Sequence, residues 1–213
     1  MAVSCVDVNS GDYKVFYENS TDPVKAIVSS ASIPFTFPQQ VWDDGVVCMD
    51  GGTVWNTNLV SAIERCKEIV DDESEITLDI VMCSRQSLPE WDDKDSTMNN
   101  YMRFKDIKQY NDNMDDIFEF KKAYPSVNFR HLVIPSQDMP SGMAILDVDN
   151  ATSTWPMQQL GRKDGEAVVS MGDGYFFKKM DEWEDDPAIR AEYPLLGKWM
   201  EHSVDEVASR PIE

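Results

Sequence analysis

The sequence predicts an α/β fold, with strands separated by helices. Three observations predict it. Short β-rich or apolar runs recur at residues 3–8, 13–17, 46–49, 76–83 and 127–134. Between several of them lie stretches whose apolar residues return at helical spacing, such as Leu59, Ala62, Ile63, Cys66, Ile69 and Val70. The chain has 213 residues, 42% of them hydrophobic, enough to bury a core.

Each element has a local reason. Residues 3–8 and 13–17 are joined by Asn9-Ser10-Gly11-Asp12, a hairpin-like connection. Asp22-Pro23 starts a helix, with a capping acid and then proline in the first turn; Pro34 requires it to stop by about Ser30. Thr57-Asn58 opens the next helix. Residues 76–83 are mostly apolar, as in a strand covered on both faces. A polar loop is expected from 86 to 100, mixed helical periodicity from 101 to 124, a strand at 127–134, and helices at 153–180 and 187–208.

Charge narrows the partners. There are 39 acidic and 19 basic residues, for a net charge of −20. Nucleic acid and anionic headgroups gain affinity from clustered Lys and Arg, so this surface disfavours both. Neutral lipids, basic proteins and cations remain compatible with it. No stretch reaches the roughly 20 apolar residues of a membrane span, and the first residues lack the regions of a signal peptide. Cys5, Cys48, Cys66 and Cys83 lie in apolar stretches without C-x-x-C spacing. That pattern favours reduced, buried thiols and an intracellular, cytoplasmic location.

The most informative run is residues 29–58, SSASIPFTFPQQVWDDGVVCMDGGTVWNTN. An apolar strand ends in Asp50 and is followed at once by Gly51-Gly52, which lets the chain turn sharply and pass close to a reacting group. The unit resembles the second half of a patatin-like phospholipase domain, where A-S-x-x-I-P-x-x-F-P precedes a strand and D-G-G. The resemblance implies a three-layer α/β/α fold, incomplete at its N-terminal side, with Asp50 as the base of a Ser-Asp dyad. Gly51, Gly52 and Asn56 support the turn, and Asn58 replaces the family's usual proline. A looser match runs from Ala144 to Asp149 and from Leu160 to Ala167, ending in Asp164-Gly165-Glu166-Ala167. The implied division is a patatin-like part at 1–174 and a helical extension at 175–213. On D-G-G alone, Asp50 also reads as a turn aspartate that binds the following backbone.

A Ser-Asp hydrolase also needs a serine on a strand-to-helix turn and backbone N–H donors for the oxyanion. No G-x-S-x-G and no glycine-rich oxyanion loop occurs in the 213 residues. Ser29, Ser30 and Ser32 lie at a helix end, and Ser170 lacks the leading glycine, so none reads as a nucleophile. Trp55 lines an acyl pocket or, more simply, packs. His131 and His202 are far apart, His131 reading as a satisfied core residue, and Asp147-Val148-Asp149 lacks the rest of a calcium loop, so no metal is expected. The dyad chemistry requires no cofactor.

Three readings follow. The chain is the C-terminal part of a lipid acyl hydrolase, acting on a lipid ester with its nucleophile on another polypeptide or an N-terminal segment. Alternatively, it is an inactive patatin-derived subunit with a structural or interaction role, which a start at Met1 favours. The third is an unrelated α/β domain sharing the turn by chance. A sheet lacking its first strands exposes an edge and an apolar face, so another polypeptide or segment is expected to complete it.

Overall fold

The computed structural model describes residues 1–34, 36–83, 96–137, 150–183 and 186–188. Strands and helices are mixed along them, giving the α/β class that the sequence predicts. The chain forms two compact units, residues 1–71 and 72–213. The boundary expected at 174/175 lies inside the second. Among the described residues no helix is long and apolar enough to cross a membrane.

In the first unit, β1 (Ala2–Asp7) and β2 (Tyr13–Tyr17) form an antiparallel hairpin. Its turn uses Gly11 at φ +79°, a region that favours glycine. The Asp7 carboxylate fastens the turn, accepting the Asn9 N–H (3.2 Å) and the Ser10 hydroxyl (3.0 Å). Helix α1 (Pro23–Ser30) starts where Asp22 accepts the Lys25 N–H at 2.9 Å, as expected from Asp-Pro. Then come β3 (Gln40–Val41), β4 (Val47–Asp50) and α2 (Leu59–Lys67). The sheet order is β2-β1-β4-β3, antiparallel throughout. Helix α1 packs on β1 and β4, with Ala26 and Ser29 fully buried.

The expectation of four reduced, buried thiols is corrected here. Cys5 and Cys48 form a disulfide; Cys66 is partly exposed and Cys83 exposed. The register places Cys5 opposite Asp50 and Asp7 opposite Cys48. The two cysteines are therefore diagonal neighbours on one sheet face, with Cα atoms 5.5 Å apart, within disulfide reach. A sequence separation of 43 hides that proximity. The thiol argument for an intracellular compartment does not extend to this pair.

In the second unit, β5 (Thr77–Val81) pairs in parallel with β6 (Asn128–Val133). Parallel neighbours require a crossover, and α3 (Thr97–Ala123) lies within it. Ser96 caps α3, so the helix takes up the last residues of the expected 86–100 loop; residues 84–95 are outside the described set. Strand β5 is not covered on both faces, contrary to its apolar composition. Leu78 and Ile80 are buried, whereas Thr77, Asp79 and Val81 are exposed, and Asp79 pairs with Arg130 of β6 on the outer face. The helix expected at 153–180 is two helices, α4 (Ala151–Met171) and α5 (Tyr175–Trp183). Gly172 (φ +90°) and Gly174 (φ +69°) take the backbone out of helical geometry between them. Phe177 and Met180 of α5 join Phe129 and Leu132 of β6 in the core. The helix expected at 187–208 falls almost wholly on residues outside the described set.

Candidate functional site

Asp50 is the last residue of β4, and the motif upstream holds it there. Its N–H donates to the Ser32 carbonyl at 3.0 Å. Ser32 is buried, and its hydroxyl donates to Val28 O (2.8 Å) in the last turn of α1. Ser29, also buried, accepts the Trp42 indole N–H at 3.1 Å. Ser32 thus ties the helix end to the strand that carries the carboxylate, and Ser29 ties the helix to Trp42, just after β3. Ser170 donates to Ala167 O within α4. Among the described residues, no hydroxyl of these serines or of Ser30 hydrogen-bonds the Asp50 carboxylate, and none of them stands on a strand-to-helix turn.

The two glycines are needed for close approach rather than for unusual backbone angles. Neither has a positive φ. A Cβ at Gly51 would lie 2.5 Å from Ser4 Oγ and 2.6 Å from the Ser4 carbonyl oxygen, because β1 runs against the turn. A Cβ at Gly52 would lie 2.9 Å from both Asn56 Oδ1 and Asp50 Oδ1. The bare backbone lets the Gly52 N–H reach Asp50 Oδ1 at 2.7 Å, in a single 3-10 turn over Gly51–Thr53. Asp50, Gly51, Gly52 and Asn56 are therefore brought together.

Half-burial pushes the Asp50 carboxyl above the ordinary carboxylate value, and the Gly52 N–H partly opposes that rise. No cation pairs with it among the described residues. A desolvated aspartate without a counter-ion is a stronger base than a free one.

Sequence reasoning missed the residues around this turn. Tyr13 OH donates to Ser4 Oγ at 2.6 Å and lies 3.3 Å from the Trp55 carbonyl oxygen. The Tyr13 and Trp55 rings lie 5.9 Å apart, so Trp55 packs against β2 as its simpler reading expects. Asn58 caps α2 by accepting the Ser61 N–H at 3.0 Å. Asp7 accepts the Val47 N–H as well as its own turn, which ties the β1 end to β4. The available signal was the alternation of Ala2, Ser4 and Val6 along one face of β1.

Other candidates stand apart. Among the described residues no cluster of three His, Cys, Asp or Glu side chains could hold a metal. His131 Nε2 lies 3.6 Å from Asp173, while its buried Nδ1 has no hydrogen-bond partner among the described residues, so it is not the fully satisfied core residue expected. Asp164, from the looser match, is buried and accepts the Ser136 N–H at 2.9 Å. His202, Asp147 and Asp149 lie outside the described residues. No protein-family model and no curated protein matches the chain.

Proposed function

We propose that the chain is the C-terminal part of a patatin-like lipid acyl hydrolase, a three-layer α/β/α fold incomplete at its N-terminal side, and that Asp50 is its general base. One observation carries the reading: a half-buried carboxylate with no counter-ion among the described residues ends a strand that the S-A-S-I-P segment holds in place. A structural turn aspartate needs no such desolvation.

The nucleophile comes from another polypeptide or an N-terminal segment that completes the sheet. In this mechanism a serine hydroxyl attacks the ester carbonyl while Asp50 takes its proton. The alcohol departs with that proton, leaving an acyl-serine. Water, deprotonated by the same carboxylate, then attacks the acyl-serine; the serine oxygen departs with that proton and the fatty acid is released. Asp50 begins and ends ionised, and no metal or organic cofactor enters.

The alternative is an inactive subunit with an interaction role. It is favoured by the bond that Asp50 makes to its own Gly52 N–H, which satisfies the acid without a substrate.

A tagged chain recovered with its cellular partners decides between them. The hydrolase reading expects neutral-ester hydrolysis by the assembly, with a fluorophosphonate probe labelling the other polypeptide. Asp50→Asn should lower turnover by about 10²–10⁴. An intact assembly with neither label nor turnover sinks this reading in favour of the scaffold. Label on the present chain would mean an internal nucleophile.

A further inference from the structure

Two segments of the chain have an asparagine followed two residues later by serine or threonine, with no proline between: Asn19-Ser20-Thr21 and Asn150-Ala151-Thr152. That spacing is the acceptor pattern for joining an oligosaccharide to the asparagine amide. We propose that Asn19, on the turn between β2 and α1, is an N-glycosylation site, and that the chain folds in an oxidising secretory compartment. The site is independent of the hydrolase reading.

The turn presents the acceptor. Ser20 N–H donates to the Tyr17 carbonyl at 3.1 Å, which puts Glu18 and Asn19 at the corner of a turn. Asn19 and Thr21 are exposed, whereas the Ser20 hydroxyl between them is buried. The amide to be modified and the hydroxyl that completes the pattern therefore both face solvent. Among the described residues neither side chain has a hydrogen-bond partner. Both flanks are anchored. Glu18 pairs with the Met1 ammonium at 3.0 Å and with Arg65, and Asp22 caps α1 through the Lys25 N–H. A glycan on Asn19 projects from a fixed corner and displaces no packed side chain. Asn150 differs, because its Oδ1 accepts the Thr152 N–H at 3.0 Å and so already serves as the cap of α4.

The second observation is the bridge between Cys5 and Cys48, two fully buried residues of β1 and β4. Cytosolic thiols are held reduced, whereas secreted proteins form and keep such bridges. A secretory compartment that oxidises this pair is also where asparagine meets its sugar donor. The expectation of a cytoplasmic location rested on reduced thiols, which this pair does not provide.

In the transfer, the Asn19 amide nitrogen attacks the anomeric carbon of an oligosaccharide carried on a lipid pyrophosphate. A C–N bond forms and the C–O bond to phosphate breaks, the lipid pyrophosphate leaving with the bonding electrons. The amide gives up one proton to a base of the transferase. No redox change is involved.

The experiment treats the unreduced chain from its own cells with a peptide-N-glycosidase in heavy-oxygen water and then with trypsin. Cleavage after Lys14 and Lys25 releases residues 15–25, which contain Asn19. The bare peptide is expected to be scarce before treatment. Afterwards it should appear with residue 19 converted to a carboxylate carrying heavy oxygen, and only where the enzyme was added. Asn19→Gln and Thr21→Ala should each abolish this modification, and Thr21→Ser should keep it. A bare 15–25 peptide from a chain whose bridge is formed overturns the inference. So does a glycan on Asn150 alone, or heavy oxygen taken up equally without the enzyme.

Discussion

Asp50 and Asp7, both near the β1–β4 junction, respond to pH in opposite senses. Burial raises the Asp50 carboxyl from 3.8, so the folded chain holds that proton to higher pH than the unfolded one. Its contribution to stability is full below the ordinary value and fades as pH rises through the raised one. Asp50→Asn should therefore be at least as stable as the parent at pH 7, with the gap closing towards pH 4, measured by urea midpoints at both. Asp7 is held below 3.8, first by the Asn9 N–H and then by Val47 and Ser10. Its contribution is present above the ordinary value and lost as pH falls through the lowered one. Asp7→Asn should destabilise at pH 7 and cost progressively less in acid. Gly51→Ala confronts backbone rather than a pliable side chain. A loss of about 1–3 kcal/mol in denaturant unfolding is expected, and an unchanged midpoint would refute the close approach of β1.

At the level of elements, the disulfide is the covalent link between β1 and β4. It closes a loop across 43 residues, for which chain entropy alone suggests about 4 kcal/mol and measured bridges typically give about 2–4 kcal/mol. Reduction, or Cys5→Ala with Cys48→Ala, should lower the unfolding free energy by about that much. Alkylation of the unreduced, denatured chain should modify Cys66 and Cys83 only; modification of all four cysteines would show that the bridge does not form in solution. Legibility differed sharply among these elements. Helix α1 was readable from Asp22-Pro23 because capping is local chemistry. Strand β5 was misread as covered on both faces because apolar composition cannot report which neighbour covers which face.

For the whole chain, the open question is what covers it. Sheet order β2-β1-β4-β3 leaves β2 and β3 as edges. Val24, Ile27 and Val28 lie exposed along α1, followed by exposed Ile33 and Phe37. Such a surface favours association, whereas a net charge of −20 opposes it between like copies. Light scattering of the purified chain should give an average mass above 24.3 kDa that rises with salt, as screening weakens the repulsion. A monomer at every ionic strength would count against an incomplete sheet.

Composition and short-range pattern were enough to establish the mixed α/β class, the acidic surface, the capped starts of α1 and α2, and the gathering of Asp50, Gly51, Gly52 and Asn56. All of these depend on neighbours within a few residues, where backbone chemistry decides. Folding in three dimensions alone decided that Ser4 abuts Gly51, that Tyr13 fixes Ser4, that Cys5 meets Cys48 and that a cavity lined by Ala2, Ser4 and Ala62 opens between β1 and α2. Ser4 with Gly51, Cys5 with Cys48 and β1 with α2 join residues far apart along the chain, and the pairing of β1 with β4, which no local signal encodes, determines which of them meet.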